Sequence, residues 1–83
     1  MEMTNLKKAL LSVSKKAECI KDIHSITAQS MGISAPYLYQ LRSGTNPQVN
    51  NHPTKKENIY LMKKVIDTYK SLIKKHITEL QNV

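Results

Sequence analysis

At 83 residues the chain is the size of one small domain, well below the roughly 250–300 at which chains divide. Apolar residues make up 40%, with two Gly, three Pro and neither Trp nor Phe, which is too apolar for a disordered tail and too poor in turn residues for an all-β domain. Thirteen basic against six acidic residues leave +7, a field that attracts polyanions: nucleic acid first, an acidic membrane face or an acidic protein second.

The longest unbroken aliphatic run, Ala9-Leu10-Leu11, is too short for a transmembrane span or a secretory segment. A single cysteine, Cys19, excludes an internal disulfide and fits a reducing compartment. The expectation is a soluble, cytoplasmic, all-α domain. Its charge is uneven: residues 1–22 carry five cations and three anions, residues 54–83 carry seven and three, and residues 23–53 carry only Arg42. Twelve of the thirteen cations are Lys, which act as point charges on phosphate rather than as bidentate base readers. Pairs such as Lys7-Lys8 and Lys63-Lys64 also suit ordinary solvated helix faces.

The first predicted helix covers about 4–20. Leu6, Leu10, Val13, Ala17 and Ile20 recur at spacings of four and three and make one apolar stripe. Thr4 is the candidate N-cap, and Lys15 and Lys16 suit the negative end of the helix dipole. Residues 22–46 hold two short apolar clusters separated by Gly32-Ile33-Ser34. Residues 46–53, NPQVNNHP, read as a loop, because two X-Pro steps and three Asn are poor helix material. The last helix, about 55–81, opens with Thr54 and Glu57 at capping-box spacing. At 1.5 Å per residue it is a rod of about 39 Å, longer than the roughly 25–30 Å expected of so small a domain. Ile59, Met62, Ile66, Tyr69, Ile73 and Leu80 form one seam on it, and Leu61, Val65, Leu72 and Ile77 widen the stripe. Either both serve one broad core-facing stripe, or one seals the core and the other meets a second copy. The candidate dimer residues are Ile66, Tyr69, Ile73, Ile77 and Leu80.

The informative stretch is HSITAQSMGISAPYLYQLRSGTN, residues 24–46. Two short helices crossing at about 90–120° through a tight turn need a small residue at the crossing, which Ala28 supplies. Gly32 then permits a positive φ, with Met31 and Ile33 flanking it. Ser34 can cap the second helix, and Pro36 falls in its first turn, where a missing N–H is harmless. Leu38 and Leu41 would bury its inner side, and Gly44 would end it.

These residues resemble the phage Cro and repressor superfamily, especially Cro-like and YdaS-like small regulators, whose recognition segments often read GIS-x-x-YL-x-QL-x-SG where this chain has GISAPYLYQLRSG. Thr27 and Ile26 depart from the pattern, standing where a larger aliphatic and a solvent-facing residue are commoner. The resemblance implies a compact repressor-like helix-turn-helix domain of four to five helices, with the motif at about 24–44. It also implies a homodimeric transcriptional regulator, a phage-type repressor, binding double-stranded DNA at two inverted half-sites.

With Leu38 and Leu41 inward, the opposite face carries Ala35, Pro36, Tyr39, Gln40 and Ser43, which the resemblance places in the major groove. Gln40 is the prime base reader, since its amide can bond adenine in bidentate fashion, while Ala35 and Pro36 suit a thymine methyl. Phosphate candidates are Ser25, Tyr37, Arg42, Thr45, Asn46, Lys55 and Lys56, with Thr45 and Asn46 taken from the resemblance. Tyr37 equally suits partial core packing, Arg42 an internal ion pair, and the Ser, Thr and Asn residues bonds to their own backbone.

Cys19, His24, His52 and His76 lack metal-ligand spacing, and the six scattered carboxylates offer no acid–base pair. Neither an enzyme nor a cofactor or metal site is expected. The competing reading is a protein-binding adaptor, an antirepressor or antitoxin, built on the same core; its support is the nearly neutral motif and the apolar surplus of the last helix.

Overall fold

A computed structural model describes residues 2–81, and among them every regular element is helical. Helix α1 spans Glu2–Lys16 and closes in a 3₁₀ turn at Ala17–Cys19; α2 spans Ile23–Met31, α3 Ala35–Ser43, α4 Pro47–Asn51 and α5 Lys56–Gln81. The all-α architecture with a long last helix agrees with the sequence pattern. Four boundaries or caps differ from it.

Helix α1 begins two residues before the candidate cap, so Thr4 lies exposed in its first turn. Met3 explains the earlier start: its side chain is buried in the core and holds that turn down. The chain leaves α-geometry after Lys16, and Ile20, already extended, donates its N–H to Ala17 O at 2.9 Å. Asp22 then takes a left-handed φ of 59° ahead of α2, a conformation that Asp tolerates better than most residues.

Segment 46–53 is not a plain loop. Asn46 Oδ1 accepts the Val49 N–H at 3.0 Å, Pro47 occupies the first helical position, and Val49 is buried. One cap, one Pro where no donor is needed and one apolar anchor suffice for a five-residue helix, too short for its Asn content to decide. The Thr54 capping box does not form either. Lys55 O accepts the N–H groups of both Asn58 and Ile59, so α5 starts one residue later than a Thr54 cap requires. Asn58 fixes that entry: fully buried, it donates through Nδ2 to His52 O at 2.9 Å and to Gln48 O at 3.4 Å.

Helix α5 packs along α1 and against α2, while α3 packs on α1 and α2. The core is built from Leu10, Val13 and Ala17 of the first arm, Ile23 and Ala28 of α2, Leu38 and Leu41 of α3, and Met62, Val65, Ile66 and Tyr69 of α5. The two seams of α5 therefore divide along its length rather than side by side. Both feed the core as far as Tyr69; beyond it Leu72 and Ile73 are half-buried, and Ile77 and Leu80 are exposed. Twelve residues, about 18 Å of helix, follow Tyr69 within α5, and the molecule is elongated at 45 × 23 × 18 Å.

Candidate nucleic-acid interface

The α2–turn–α3 unit is fixed by the same device at both helix ends. At the turn, Ile33 N–H reaches back to Ala28 O at 3.0 Å and Gly32 N–H to Gln29 O at 3.1 Å, with Gly32 at φ 69°. This is a Schellman closure, which requires a residue in the left-handed region. Helix α3 ends likewise, with Gly44 at φ 75° and Thr45 N–H bonded to Gln40 O at 3.0 Å. At the start of α3, Ser34 Oγ accepts the Tyr37 N–H at 3.2 Å, and Pro36 lies in the first turn. With both ends closed, the rotation of α3 is set by Leu38 and Leu41, both buried.

That rotation turns Ala35, Pro36, Tyr39, Gln40 and Ser43 outward, all five exposed along one ridge of the helix. The ridge carries no charge. The two departures in α2 also resolve. Thr27 is fully buried because its hydroxyl donates to Ile23 O at 2.7 Å, which satisfies the polar atom within its own helix. Ile26 remains exposed beside Ile20, Ile23, Leu72 and His76, around a shallow notch of about 170 Å³.

The phosphate candidates separate. Ser25, Thr45, Lys55 and Lys56 are exposed, with Lys55 3.7 Å from Glu57 and the Thr45 and Ser43 hydroxyls 2.8 Å apart. Tyr37 is half-buried against the core. Two candidates have internal duties instead. Asn46 is 3% exposed; it caps α4 through Oδ1 and donates from Nδ2 to Gln40 Oε1 at 3.2 Å. Arg42 turns inward, its Nη2 3.7 Å from Glu18 Oε2 and its Nε buried. Among the dimer candidates, Ile66 and Tyr69 belong to the protein's own core and offer no free surface, which leaves Ile73, Ile77 and Leu80.

Arg42 belongs to a polar cluster that joins four elements. Glu18 Oε2 also lies 3.3 Å from His24 Nε2, and His24 Nδ1 shares a 2.8 Å hydrogen bond with the Tyr69 hydroxyl. A carboxylate can only accept, so His24 Nε2 carries a proton there, and in a neutral ring Nδ1 accepts from Tyr69. Burial pushes the Tyr69 phenol above its ordinary range, against the opposing pull of Arg42, while Glu18 adds to the rise. The cluster ties the C-terminal end of α3 to α5 and fixes the ridge from below. His24 is therefore a structural group.

Asn58 and the Glu18–His24–Tyr69 chain escaped the sequence reading. Asn58 had a signal: it stands in register with Met62, Val65 and Tyr69 on the apolar face of α5, where an amide must be buried and bonded. The Glu18 pairings had none, because they cross from one element to another, to His24 in α2 and Arg42 in α3, and not along a helix.

No family model, curated protein or solved structure matches the chain.

Proposed function

We propose that the protein is a sequence-specific DNA-binding transcriptional regulator of the Cro-like repressor kind, acting by binding alone, with α3 in the major groove of double-stranded DNA. The observation that carries this reading is the ridge Ala35, Pro36, Tyr39, Gln40 and Ser43, held outward by two buried leucines on a helix closed at both ends. An α-helix fits the major groove, and short polar and apolar side chains on its outer face match base edges and thymine methyls. Lys55 and Lys56 supply phosphate contacts beside it, and Ser25 and Thr45 supply neutral ones.

A second copy of the chain completes the reading. Leu72, Ile73, Ile77 and Leu80 continue the core stripe of α5 past the domain's own core, beside the Ile20–Ile26 notch. A two-fold axis would set each copy's Leu80 against the other's notch, in the self-complementary manner of isologous dimers. Two α3 ridges then meet inverted half-sites about one helical turn apart. Sedimentation at micromolar concentration should give a dimer that Leu80→Glu dissociates. A monomeric wild type removes the inverted-repeat operator from the proposal.

Selection from a random oligonucleotide pool tests the DNA reading. The expected outcome is a defined site whose binding weakens steeply with salt as lysines release counterions, and Gln40→Ala should relax one base position per half-site at a cost of about 1–3 kcal/mol. Failure to enrich any site overturns it. The neutral ridge and the exposed Ile77 and Leu80 favour the alternative of a protein-binding adaptor. In a gel shift with pooled genomic fragments, an adaptor gives only weak, sequence-independent retention.

A further inference from the structure

We infer that Asn46 is a specificity-determining positioning residue: it sets which end of the Gln40 amide faces a base. The inference rests on the DNA-binding reading above and goes beyond it, because it assigns the hydrogen-bonding sense of the recognition side chain. Amide oxygen and nitrogen are exchanged by a half-turn, so their assignment must come from partners that cannot be exchanged. Here one partner is fixed. The Val49 backbone N–H can only donate, so the Asn46 atom 3.0 Å from it is Oδ1. The other end of that amide, Nδ2, can only donate, and it lies 3.2 Å from Gln40. The Gln40 atom facing it must accept, and is Oε1.

The chain Val49 N–H to Asn46 to Gln40 thus turns the Gln40 oxygen toward the protein and its Nε2 outward. Asn46 is almost fully buried and Gln40 is exposed, so the anchor is held by packing and the presented end is free. Gln40 Nε2 has no hydrogen-bond partner among the described residues, and it offers two N–H donors at the centre of the ridge. In the major groove guanine presents two acceptors, O6 and N7, whereas adenine offers one acceptor and one donor. With Oε1 engaged by Asn46, Gln40 addresses guanine. Bidentate pairing with adenine would need the second lone pair of Oε1 turned out to the N6 amine, while Asn46 holds the oxygen on the protein side.

Asn46→Asp reverses the sense without removing the cap. Asp is as good an N-cap as Asn, so one carboxylate oxygen still accepts from Val49 N–H. The other now replaces a donor with an acceptor beside Gln40, whose amide turns over, donates from Nε2 and presents Oε1 outward. An outward acceptor matches an exocyclic amine, on cytosine N4 or adenine N6.

The test is parallel site selection with wild type, Asn46→Asp, Asn46→Ser and Gln40→Ala, each first checked for cooperative melting. Wild type should select guanine at the position that Gln40→Ala relaxes. Asn46→Asp should move that preference to cytosine or adenine, a reversal of about 5- to 150-fold in relative affinity on conversion of 1–3 kcal/mol per base contact. Its added negative charge weakens attraction for phosphate at every site and itself favours amine-bearing edges, so the uncharged Asn46→Ser variant is the control that isolates loss of the anchor. Asn46→Ser keeps a cap but cannot reach Gln40; it should broaden the position to both purines, and it serves if the Asp variant does not fold. Identical preferences in wild type, Asn46→Asp and Asn46→Ser, with Gln40→Ala still relaxing the position, overturn the inference and leave the DNA reading intact. A wild type that selects nothing overturns both.

Discussion

Leu38 and Tyr39 are neighbours in sequence and opposites in space: Leu38 is 1% exposed and Tyr39 57%. Their truncations should therefore separate folding from recognition. Leu38→Ala removes three buried carbons from the point where α3 meets the core, a change that costs about 2–5 kcal/mol. A domain of this length holds only ~4–12 kcal/mol in total, at 0.05–0.15 kcal/mol per residue. At ~4–8 °C per kcal/mol, the melting midpoint should fall by roughly 10–40 °C. Tyr39→Ala removes a larger side chain from solvent, where substitutions stay within about 0.5 kcal/mol, and Ala's better helix propensity offsets part of any loss. Its melting curve should match the wild type within about 4 °C, while affinity for a selected site falls by the ~1–3 kcal/mol of a lost base contact. Circular dichroism melts followed by gel shifts, run below both midpoints, provide the two readings. If the two variants melt alike, the rotation assigned to α3 is wrong. If Tyr39→Ala melts and binds as wild type, the ridge does not contact DNA through this residue.

Tyr69 gives a pH signature. Because burial raises its phenol pKa, the folded state keeps the proton longer than the unfolded chain; its stability contribution is full below the ordinary value of about 10 and declines as pH rises past it. Urea midpoints measured from pH 8 to 11 should therefore fall more steeply for wild type than for Tyr69→Phe, which also loses about 1 kcal/mol with the His24 hydrogen bond; parallel curves would refute the assignment. At Gly32, a Cβ would meet nothing within 4 Å, so the cost of Gly32→Ala is the left-handed backbone at φ 69°, about 1–2 kcal/mol. Gly32→Asn should cost less, and a loss well above that range in denaturant melts would indicate a clash instead.

The motif was legible because its requirements are local. Ser34, Pro36, Gly32 and Gly44 act on their own backbone within a turn, and Ala28, Leu38 and Leu41 mark the buried sides of the two short helices joined by it. The exposed ridge then follows as the complement of the leucines. What the sequence hid was competition for polar groups. Thr54 stood as a cap, and Asn46 and Arg42 stood open between a phosphate and an internal partner that the sequence does not identify. Asn46 and Arg42 are claimed by Val49 and Gln40 and by Glu18, while Asn58 moves the start of α5 beyond the reach of Thr54. Length misled in a different way. A five-residue helix depends on one cap and one buried side chain, so the Asn and Pro content of 46–53 argued for a loop that Asn46 and Val49 prevent.

The distribution of charge bears on how such a surface discriminates. Helix α3 has one cation, Arg42, and that cation is turned to Glu18, so the ridge itself adds nothing to a general attraction for phosphate. The remaining positive charge lies on lysines of α1, of the turn before α2, of the α4–α5 junction and of α5, with Lys55 3.7 Å from Glu57 and Lys63 3.2 Å from Glu2. On the proposed DNA reading, attraction and base choice are carried by different elements, and each can be changed without the other. A lysine on the ridge would bind guanine acceptors with a mobile point charge and hold every neighbouring phosphate nearly as well. A Gln amide held by its oxygen presents its donors, whereas a free Gln pairs donor and acceptor together with adenine. In the proposed complex the buried Asn46 sets that sense: where charge contributes little, the direction of a single hydrogen bond decides the choice of base.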